Sequence, residues 1–404
     1  MHTRARRLAA GPAAMLGTAV TLALLGVTPT PVVPSARAHL APRLRRLPAR
    51  VYAPYVETWL PGSLVGLSRQ AGAPYLTLAF LRTARPGSCT VGWNGGTGPT
   101  APPSRYRQQA AALERLGGAV IPSFGGWTAD SQGTDIADSC PSAARVARAY
   151  ESALTATGAT RLDLDIESRS LTDVAGLERR DRALELVAAW AARRDRPLQV
   201  QLTLPTQPSG LAASGLAVLS RARADGVRID LVNIMGFDYY DGTTDMGEAL
   251  VEAATALESR LGALYPGRSS ARLWRMVGLT LLPGIDDNPN RHEVTTLADA
   301  RRVAAFARAR GIGALSIWAI QRDNGGCPGA RDRSRCSGAR QTPFAFSRVL
   351  ESYARGPAAA GADLRRAEPA APSPRSSTVA TTTTRSPGAG RCGPPSPPPP
   401  PARW

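Results

Sequence analysis

The chain of 404 residues has a formal net charge of +18, and all 49 of its basic residues are arginines. This charge would suit an acidic partner, but the arginines are spread over predicted helices and form no stripe. We therefore interpret them as ordinary surface cations and predict no nucleic-acid partner. Only three histidines occur, so Ser-His-Asp or Cys-His catalysis and histidine-rich metal sites are almost excluded, and any chemistry must use carboxylates and tyrosines.

The two ends of the chain differ in composition from its middle. Residues 1–38 combine three early arginines with an apolar run and an Ala-x-Ala site at 36–38, which is the pattern of a signal peptide. The apolar run is short for a spanning helix, so we predict cleavage and secretion rather than a membrane anchor. Residues 357–404 are rich in Pro, Ser, Thr, Ala and Arg and predict a disordered tail.

Five cysteines are compatible with disulfides in an exported protein. The natural pairings are Cys89 with Cys140 and Cys327 with Cys336, although the sequence leaves other connectivities open. Cys392 would then be left over in the tail. No Cys-x-x-Cys occurs, so we expect no zinc site, and nothing in the sequence indicates a metal or a cofactor.

Between the ends, short apolar runs alternate with amphipathic patterns, which indicates β-α units and a parallel sheet. Strands are predicted over 51–58, 75–81, 119–124, 161–167, 198–204, 229–237, 276–282 and 314–320. Helices are predicted over 106–116, 143–156, 172–194, 210–224, 247–261, 294–310 and 344–355.

Eight strands with helices between them, in one domain over residues 49–356, predict a (β/α)8 TIM barrel. The alternative is a doubly wound sheet, which usually has a glycine-rich phosphate turn after its first strand, and none is found there. In a barrel, function gathers at the carboxyl ends of the strands. The polar and aromatic residues predicted at those ends are Trp127, Glu167, Asp238, Tyr239, Tyr240, Asp286, Asp287 and Trp318. Of these, Asp286 and Asp287 are interpreted as loop acids rather than ligands.

The fourth predicted strand carries an unusual row of acids. Residues 162–167 read Leu-Asp-Leu-Asp-Ile-Glu, so that three aliphatic residues point to one face and Asp163, Asp165 and Glu167 point to the other. Like charges repel and are costly to bury, and such an arrangement is tolerated where shifted pKa values serve proton transfer. The row therefore predicts an active site.

Four motifs in this order resemble those of glycoside hydrolase family 18, the chitinases and endo-β-N-acetylglucosaminidases. The acid row is similar to the family's D-x-D-x-E signature, and Ser-Phe-Gly-Gly at 123–126 resembles its S-x-G-G motif. Residues 235–239, Met-Gly-Phe-Asp-Tyr, resemble the sixth-strand motif, and Trp318 resembles the eighth-strand tryptophan. The chain departs from the family pattern at Thr160-Arg161, where an Asp and a Gly are common, and at Phe237, where Tyr is common.

The resemblance implies a retaining mechanism in which the substrate's 2-acetamido group is the nucleophile. Glu167 would be the general acid and base, Asp165 would orient the acetamide, and Asp163 would share a proton with Asp165. Asp238 and Tyr239 would complete the catalytic group, with Tyr240 as the alternative to Tyr239. Substrate-binding residues would be Trp318 below the sugar at the cleavage point, Tyr240 and Trp127.

The resemblance also implies a secreted chitinase-like enzyme whose partner is chitin or another glycan that contains N-acetylglucosamine. The alternatives are a non-catalytic carbohydrate-binding barrel and an endo-β-N-acetylglucosaminidase. Binding barrels of this kind tend to lack the terminal glutamate of the motif, whereas Glu167 is present. We expect a monomer with no membrane partner and no metal.

Overall fold

The structure is a computed structural model that describes residues 44–98, 102–287, 292–329 and 334–354. The predicted signal peptide at 1–38 and the predicted tail at 357–404, which includes Cys392, lie outside the described residues. Within the described residues, no helix is both long enough and apolar enough to cross a membrane.

Short strands alternate with helices along the chain. The strands are β1 (Val51–Tyr52), β2 (Tyr55–Glu57), β3 (Tyr75–Thr83), β4 (Val91–Trp93), β5 (Ala119–Gly125), β6 (Arg161–Asp165), β7 (Gln199–Pro205), β8 (Leu231–Gly236), β9 (Val277–Leu281), β10 (Gly284–Ile285), β11 (Val294–Thr295) and β12 (Ala314–Ile317). The helices are α1 (Leu64–Ala71), α2 (Arg107–Arg115), α3 (Trp127–Gln132), α4 (Ile136–Ser139), α5 (Ala143–Thr157), α6 (Val174–Ala192), α7 (Ala213–Ala224), α8 (Met246–Leu264), α9 (Ser270–Trp274), α10 (Leu297–Arg310) and α11 (Ala345–Ala354).

The parallel strands close into a barrel. Their order is β1-β12-β9-β8-β7-β6-β5-β3-β2, and β1 and β2 lie end to end as one barrel position. β1 pairs with β12 and β2 pairs with β3, while the two residues between them keep both contacts: the Ala53 N–H donates to the Leu315 carbonyl, and the Pro54 carbonyl accepts from the Thr77 N–H, each at 3.0 Å. Eight positions in a closed parallel ring confirm the predicted (β/α)8 barrel.

All eight predicted barrel strands are present, with ends that differ by a few residues. The prediction of a helix over 294–310 is wrong at its start, because Val294 and Thr295 pair in the small β10–β11 hairpin. Helix α10 begins after Thr296, whose hydroxyl accepts from the Asp299 N–H while the Asp299 carboxylate accepts from the Thr296 N–H. This capping box fixes where the helix begins.

The hydrophobic core lies between the barrel and the surrounding helices. The aliphatic face of β6 and the residue after it, Leu162, Leu164 and Ile166, is buried there, with at most 1% of each residue exposed. Both predicted disulfides are present, Cys89–Cys140 and Cys327–Cys336. The first ties the segment before β4 to the end of α4, close to the mouth of the barrel.

Candidate active site

A cavity of about 780 Å³ opens at the carboxyl ends of the barrel strands. Its size is in the range of ordinary ligand pockets. Every barrel position contributes to its lining, and one lining residue from each is Glu57, Phe80, Gly125, Asp165, Pro205, Met235, Thr280 and Trp318. The location agrees with the rule that barrel enzymes build their sites from the loops at this end.

The alternation predicted for the acid row is confirmed. While the aliphatic residues of β6 face the helices, Asp163 is fully buried inside the barrel and Asp165 lines the cavity with 5% of its surface exposed. Glu167, two residues beyond the end of β6, also lines the cavity. The row therefore runs from the barrel interior to its mouth.

Asp163 is held by three hydroxyl groups. Its carboxylate accepts hydrogen bonds from the Tyr55 hydroxyl at 2.9 Å, from Ser123 Oγ at 2.6 Å and from Thr203 Oγ1 at 2.7 Å. Burial raises the pKa of Asp163, and the three donors partly oppose this by stabilising the charged form. A carboxylate so enclosed cannot reach a substrate, so its influence acts through Asp165.

Asp165 lies between two other acids. Burial is the main reason that its pKa lies well above the usual value, and the nearby charges of Glu167 and Asp163 raise the pKa further. Its buried Oδ1 has no hydrogen-bond partner among the described residues. Such an oxygen at a cavity wall can accept a hydrogen bond from a ligand or stabilise a positive charge that develops there.

Glu167 has the proton affinity expected of a general acid. Burial raises the pKa of its carboxyl to about 7; the backbone N–H of Trp127 opposes the rise, and the charge of Asp287 adds a smaller contribution to it. At neutral pH the carboxyl is therefore present in both protonation states. A group with this pKa can give a proton and take it back within one catalytic cycle.

The turn after β8 distinguishes the two candidate tyrosines. Asp238 and Tyr240 both have left-handed backbone angles, with φ of 55° and 58°, so that the strand's alternation ends at this point. Tyr239 is 2% exposed and packs with Met246 and Ala249 away from the cavity. Tyr240 lines the cavity instead. Of the two candidate tyrosines, Tyr240 therefore has the position required of a substrate contact in this structure, and Tyr239 does not line the cavity.

This turn is held by acids from the segment that follows β9. The N–H groups of Tyr239 and Tyr240 donate to the Glu293 carboxylate at 3.0 and 2.9 Å, and the Asp238 N–H donates to Asp286 Oδ2 at 3.1 Å. Burial and the charge of Asp286 hold the pKa of Asp238 well above its usual value. Burial, followed by the charge of Asp238, raises the pKa of the Tyr240 hydroxyl, and both residues line the cavity.

Among the described residues, one acidic group has a geometry that could hold a metal ion. Carboxylate oxygens of Asp238, Asp286 and Asp287 lie within 4.8 Å of one another. The sequence alone indicates that Asp286 and Asp287 are loop acids, whereas in the structure Asp287 lines the cavity. Burial is the main reason that the pKa of Asp238 is raised, and the proximity of the other two acids adds to it, because a like charge nearby favours the protonated form.

Aromatic side chains form one wall of the cavity. Trp318 stacks on Phe80 and meets the edge of Tyr55, with ring centroids 5.4 and 5.6 Å apart. Trp59 lies 6.2 Å from Trp318 and is 46% exposed, and Trp127, at 45% exposure, also lines the cavity. Flat apolar surfaces of this kind suit the C–H face of a pyranose ring.

Sequence reasoning missed three residues that complete the site: Tyr55, Thr203 and Phe80. Tyr55 and Thr203 each donate to Asp163, and Phe80 supports Trp318. They lie on the first, fifth and second barrel strands, far apart in the sequence. The available signal was a tyrosine or threonine inside an otherwise apolar strand, where a buried hydroxyl requires a partner.

At the other end of β6, the departures from the family pattern are accommodated within the barrel. Thr160 donates a hydrogen bond through its hydroxyl to the Arg45 carbonyl at 2.8 Å. Arg161 is 3% exposed, and burial lowers the pKa of its guanidinium to about 10, with the charges of Asp230 and Asp163 opposing the fall. Both residues lie below the three acids, so the departures leave the acid row itself unchanged.

Comparison of the sequence with known proteins finds two chitinases. The chain is 31% identical to a probable bifunctional chitinase/lysozyme of Escherichia coli (strain K12) over 320 residues, which are 76% of this chain and 35% of that protein. It is 32% identical to endochitinase 11 of Metarhizium anisopliae over 287 residues, 68% of this chain and 53% of that protein. The chain thus spans between about a third and about half of the length of these relatives. No protein-family model matches it.

Comparison of the fold gives the same relationship. The catalytic domain of the hyperthermophilic chitinase from Pyrococcus furiosus aligns with a TM-score of 0.68 and 28% identity, over 78% of this chain and 98% of that domain. Both the sequence and the barrel therefore match chitinases, and the four motifs lie at the mouth of the barrel. The chain belongs to glycoside hydrolase family 18. Within this family 18 barrel, Asp163 and Asp165 lie on the signature strand β6, Glu167 follows that strand, and Trp318 follows the eighth strand.

Proposed function

We propose that the chain is a secreted chitinase that hydrolyses β-1,4 linkages in polymers of N-acetylglucosamine with retention of configuration. The observation that carries this proposal is Glu167, a carboxyl with a pKa of about 7 at the wall of a cavity that also contains Asp165 and Trp318. The relatives named above are chitinases, and active domain 2 of the Pyrococcus furiosus enzyme has been crystallised, as catalytic-site mutants, with chito-oligosaccharides.

In the first step, the protonated Glu167 gives its proton to the glycosidic oxygen as the bond to the anomeric carbon breaks. The carbonyl oxygen of the substrate's own acetamide attacks the anomeric carbon from the other face, which yields an oxazolinium ion and a free sugar hydroxyl. In the second step, a water molecule attacks the same carbon and returns its proton to Glu167. Two displacements restore the original configuration.

The positive charge of the oxazolinium develops beside Asp165. This carboxyl has a buried oxygen without a protein partner, which could orient the acetamide N–H and stabilise the charge. Asp163 and Asp165 are close enough to titrate together, and the pair holds one negative charge at lower energy than two. As the acetamide attacks, the shared proton would move toward Asp163, which is fixed by its three donors, and the negative charge would then lie on Asp165.

The remaining contacts would position the sugar. Tyr240 and Asp238 both line the cavity, so the Tyr240 hydroxyl is the candidate donor to the acetamide carbonyl. Trp318 would support the ring of the sugar at the cleavage point, with Trp127 as a more exposed contact farther along the glycan. Secretion is inferred from the leader pattern at 1–38 and from two disulfides, which form in oxidising compartments.

Hydrolysis of chito-oligosaccharides by the purified protein tests the proposal. We expect the wild-type protein to release shorter oligosaccharides. Glu167→Gln should lose about 10²- to 10⁴-fold in kcat, which is the usual contribution of general acid catalysis. Binding of the oligosaccharide, measured by calorimetry, should stay within a few fold, because glutamine keeps the shape of the side chain.

The control is Glu114→Gln, which removes an exposed carboxylate from α2, away from the cavity. This variant should keep wild-type turnover. Full activity in Glu167→Gln would contradict the assignment of the acid. Binding of chito-oligosaccharides without release of products by the wild-type protein would instead identify a carbohydrate-binding barrel.

A further inference from the structure

Hydrogen bonds from neighbouring elements hold the backbone around Glu167. Just beyond the paired ends of β5 and β6, the Gly126 N–H donates to the Asp165 carbonyl at 3.0 Å. Two residues farther along the chain, a side chain takes the place of the backbone acceptor: the Glu167 N–H donates to Oδ2 of Asp130 on α3. On the opposite side, the Ile166 N–H donates to the Thr203 carbonyl at 2.9 Å. The backbone at residues 165–167 is therefore held on both sides.

Helix α3 acts on Glu167 in two ways. Asp130 accepts a hydrogen bond from the Glu167 N–H, and the backbone N–H of Trp127, at the first residue of the helix, lowers the pKa of the Glu167 carboxyl. One short segment thus holds the backbone of Glu167 and influences the proton affinity of its side chain. A shift of α3 would move Glu167 and change the surroundings of its carboxyl.

Asp130 lies beside a buried charged cluster. It has no exposed surface, and it faces Asp135 and the guanidinium of Arg180, which is 2% exposed. Arg180 Nη2 lies 3.1 Å from Asp135 Oδ1 and 3.8 Å from Asp138 Oδ1. Asp135 and Asp138 therefore pair with the buried Arg180 guanidinium, whose charge also acts on Asp130.

The same cluster also binds the loop that follows Glu167. Asp138 accepts a hydrogen bond from the Ser170 hydroxyl through its Oδ2. Asp130, and Asp138 with its partner Arg180, therefore hold the segment 167–170 at two points. Asp130 is not part of the family 18 signature and does not line the cavity in the described residues.

We propose that Asp130 is a positioning residue, which holds the Glu167 backbone and, with the Arg180 cluster behind it, fixes the place of the Glu167 carboxyl in the cavity. This inference rests on the proposed function of Glu167 as the acid, and it adds a residue outside the cavity to the machinery. The role requires an acceptor oxygen at this position, and it does not require a negative charge.

The charges around Asp130 support this distinction. Burial, followed by the charge of Asp135, raises the pKa of Asp130 well above its usual value; the charge of Glu167 adds to the rise, whereas the Glu167 N–H and the Arg180 guanidinium oppose it. A carboxyl with raised pKa is readily neutral, so an amide of the same shape is a close replacement. Asp130→Asn keeps an acceptor oxygen, and Asp130→Ala removes it.

The test compares these two variants by kcat, KM and the pH profile of kcat/KM on a soluble chito-oligosaccharide. We expect Asp130→Asn to stay within about threefold of the wild type at all pH values. Asp130→Ala should lower kcat at least tenfold with KM within about twofold. Its alkaline limb should move to lower pH, because water that enters the space of the carboxyl lowers the pKa of Glu167.

Gln132→Ala is the matched control, since Gln132 is exposed on the same helix. It should keep the wild-type rate and pH profile. A purely structural role for Asp130 would lower the melting temperature of Asp130→Ala but leave kcat per folded molecule and the alkaline limb unchanged, and that result would overturn the proposal. Equal losses in the Asn and Ala variants would overturn it as well.

If Asp130→Ala does not fold, Asp130→Ser replaces it, because the shorter hydroxyl tolerates the polar surroundings but cannot reach the Glu167 N–H. A second readout separates this proposal from the proposed function. The pKa of the Glu167 carboxyl can be followed by ¹³C NMR as the difference from Glu167→Gln, without any turnover. A Glu167 pKa that is lower in Asp130→Ala or Asp130→Ser, but not in Asp130→Asn, would support the positioning role even if no glycan is cleaved. An unchanged pKa in the Ala or Ser variant would refute it.

Discussion

Trp318 and Phe80 stack face to face, with ring centroids 5.4 Å apart and ring planes inclined by only 19°. Trp318 comes from the end of the last barrel strand and Phe80 from the second, so the contact joins two strands that are separated by the first. Tyr55 on that intervening strand packs against both rings. The indole is thereby held in one orientation, as the rigid surface on which we propose that a sugar ring packs.

Removal of this surface should weaken substrate binding. We expect Trp318→Ala to raise KM by about tenfold or more, equivalent to about 1.4 kcal/mol, because the sugar loses its apolar contact. Trp127→Ala is the comparison, since that side chain is 45% exposed and should contribute less. Michaelis parameters on a soluble chito-oligosaccharide measure both effects. A larger loss in Trp127→Ala would place the cleavage point elsewhere in the cavity.

Activity should depend on pH through two groups. Glu167 must be protonated to act as the acid, so kcat/KM should fall as pH rises through about 7. On the acid side, the pair of Asp163 and Asp165 must keep a negative charge. Burial raises the pKa of both carboxyls. As the pH is lowered, activity should therefore begin to fall before the pH reaches about 3.9, the usual pKa of an aspartate. A kcat/KM profile that stays flat from neutral pH to pH 9 would contradict the assignment of the acid.

The two neighbouring tyrosines should differ in their effects. Tyr240→Phe removes a hydroxyl at the cavity and should lower kcat about 10-fold or more, because the acetamide loses a donor that holds it for attack. Tyr239→Phe removes a buried hydroxyl that has no partner among the described residues, so turnover should change by less than about threefold. The kcat values of the two variants, measured side by side, decide between them. The reverse order would restore Tyr239 as the substrate contact.

The two disulfides should stabilise the fold unequally. Cys89–Cys140 closes a loop with a sequence separation of 51, and Cys327–Cys336 one of 9. Loss of the first, by paired Cys→Ser substitutions, should lower the free energy of unfolding by about 4 kcal/mol, and loss of the second by about 2.5 kcal/mol, because the longer loop restricts the unfolded chain more. Urea unfolding of the two double variants measures this. A larger loss for the shorter loop would indicate strain or contacts that outweigh loop entropy.

The barrel and the acid row could be predicted because both depend on local periodicity. Leu162, Leu164 and Ile166 alternate with three acids, and a parallel strand can place the two sets only on opposite faces. The same reasoning fails just after β8, where left-handed backbone angles at Asp238 and Tyr240 end the alternation. The choice between Tyr239 and Tyr240 depended on that turn, and no periodic pattern encodes it.

Contacts between distant elements were also outside the reach of sequence patterns. The hydrogen bond from Tyr55 to Asp163 joins residues 108 positions apart, and Arg180 meets Asp135 across 45 positions. In the sequence, Asp130 and Arg180 are indistinguishable from the many exposed charges on helices. Only the closed barrel and the packing of α3 against the loop after β6 bring Asp130 beside Glu167 and Arg180 beside Asp135. The start of α10 is different, since Thr296 followed by Asp299 was a readable capping signal.

The configuration of the first product tests the proposed mechanism most directly. If the acetamide and then water displace in turn at the anomeric carbon, the new reducing end should have the β configuration before it equilibrates. Proton NMR during hydrolysis of a chito-oligosaccharide by the purified protein records this within the first minutes. Initial release of the β-anomer is the predicted result, and initial release of the α-anomer would contradict the substrate-assisted mechanism.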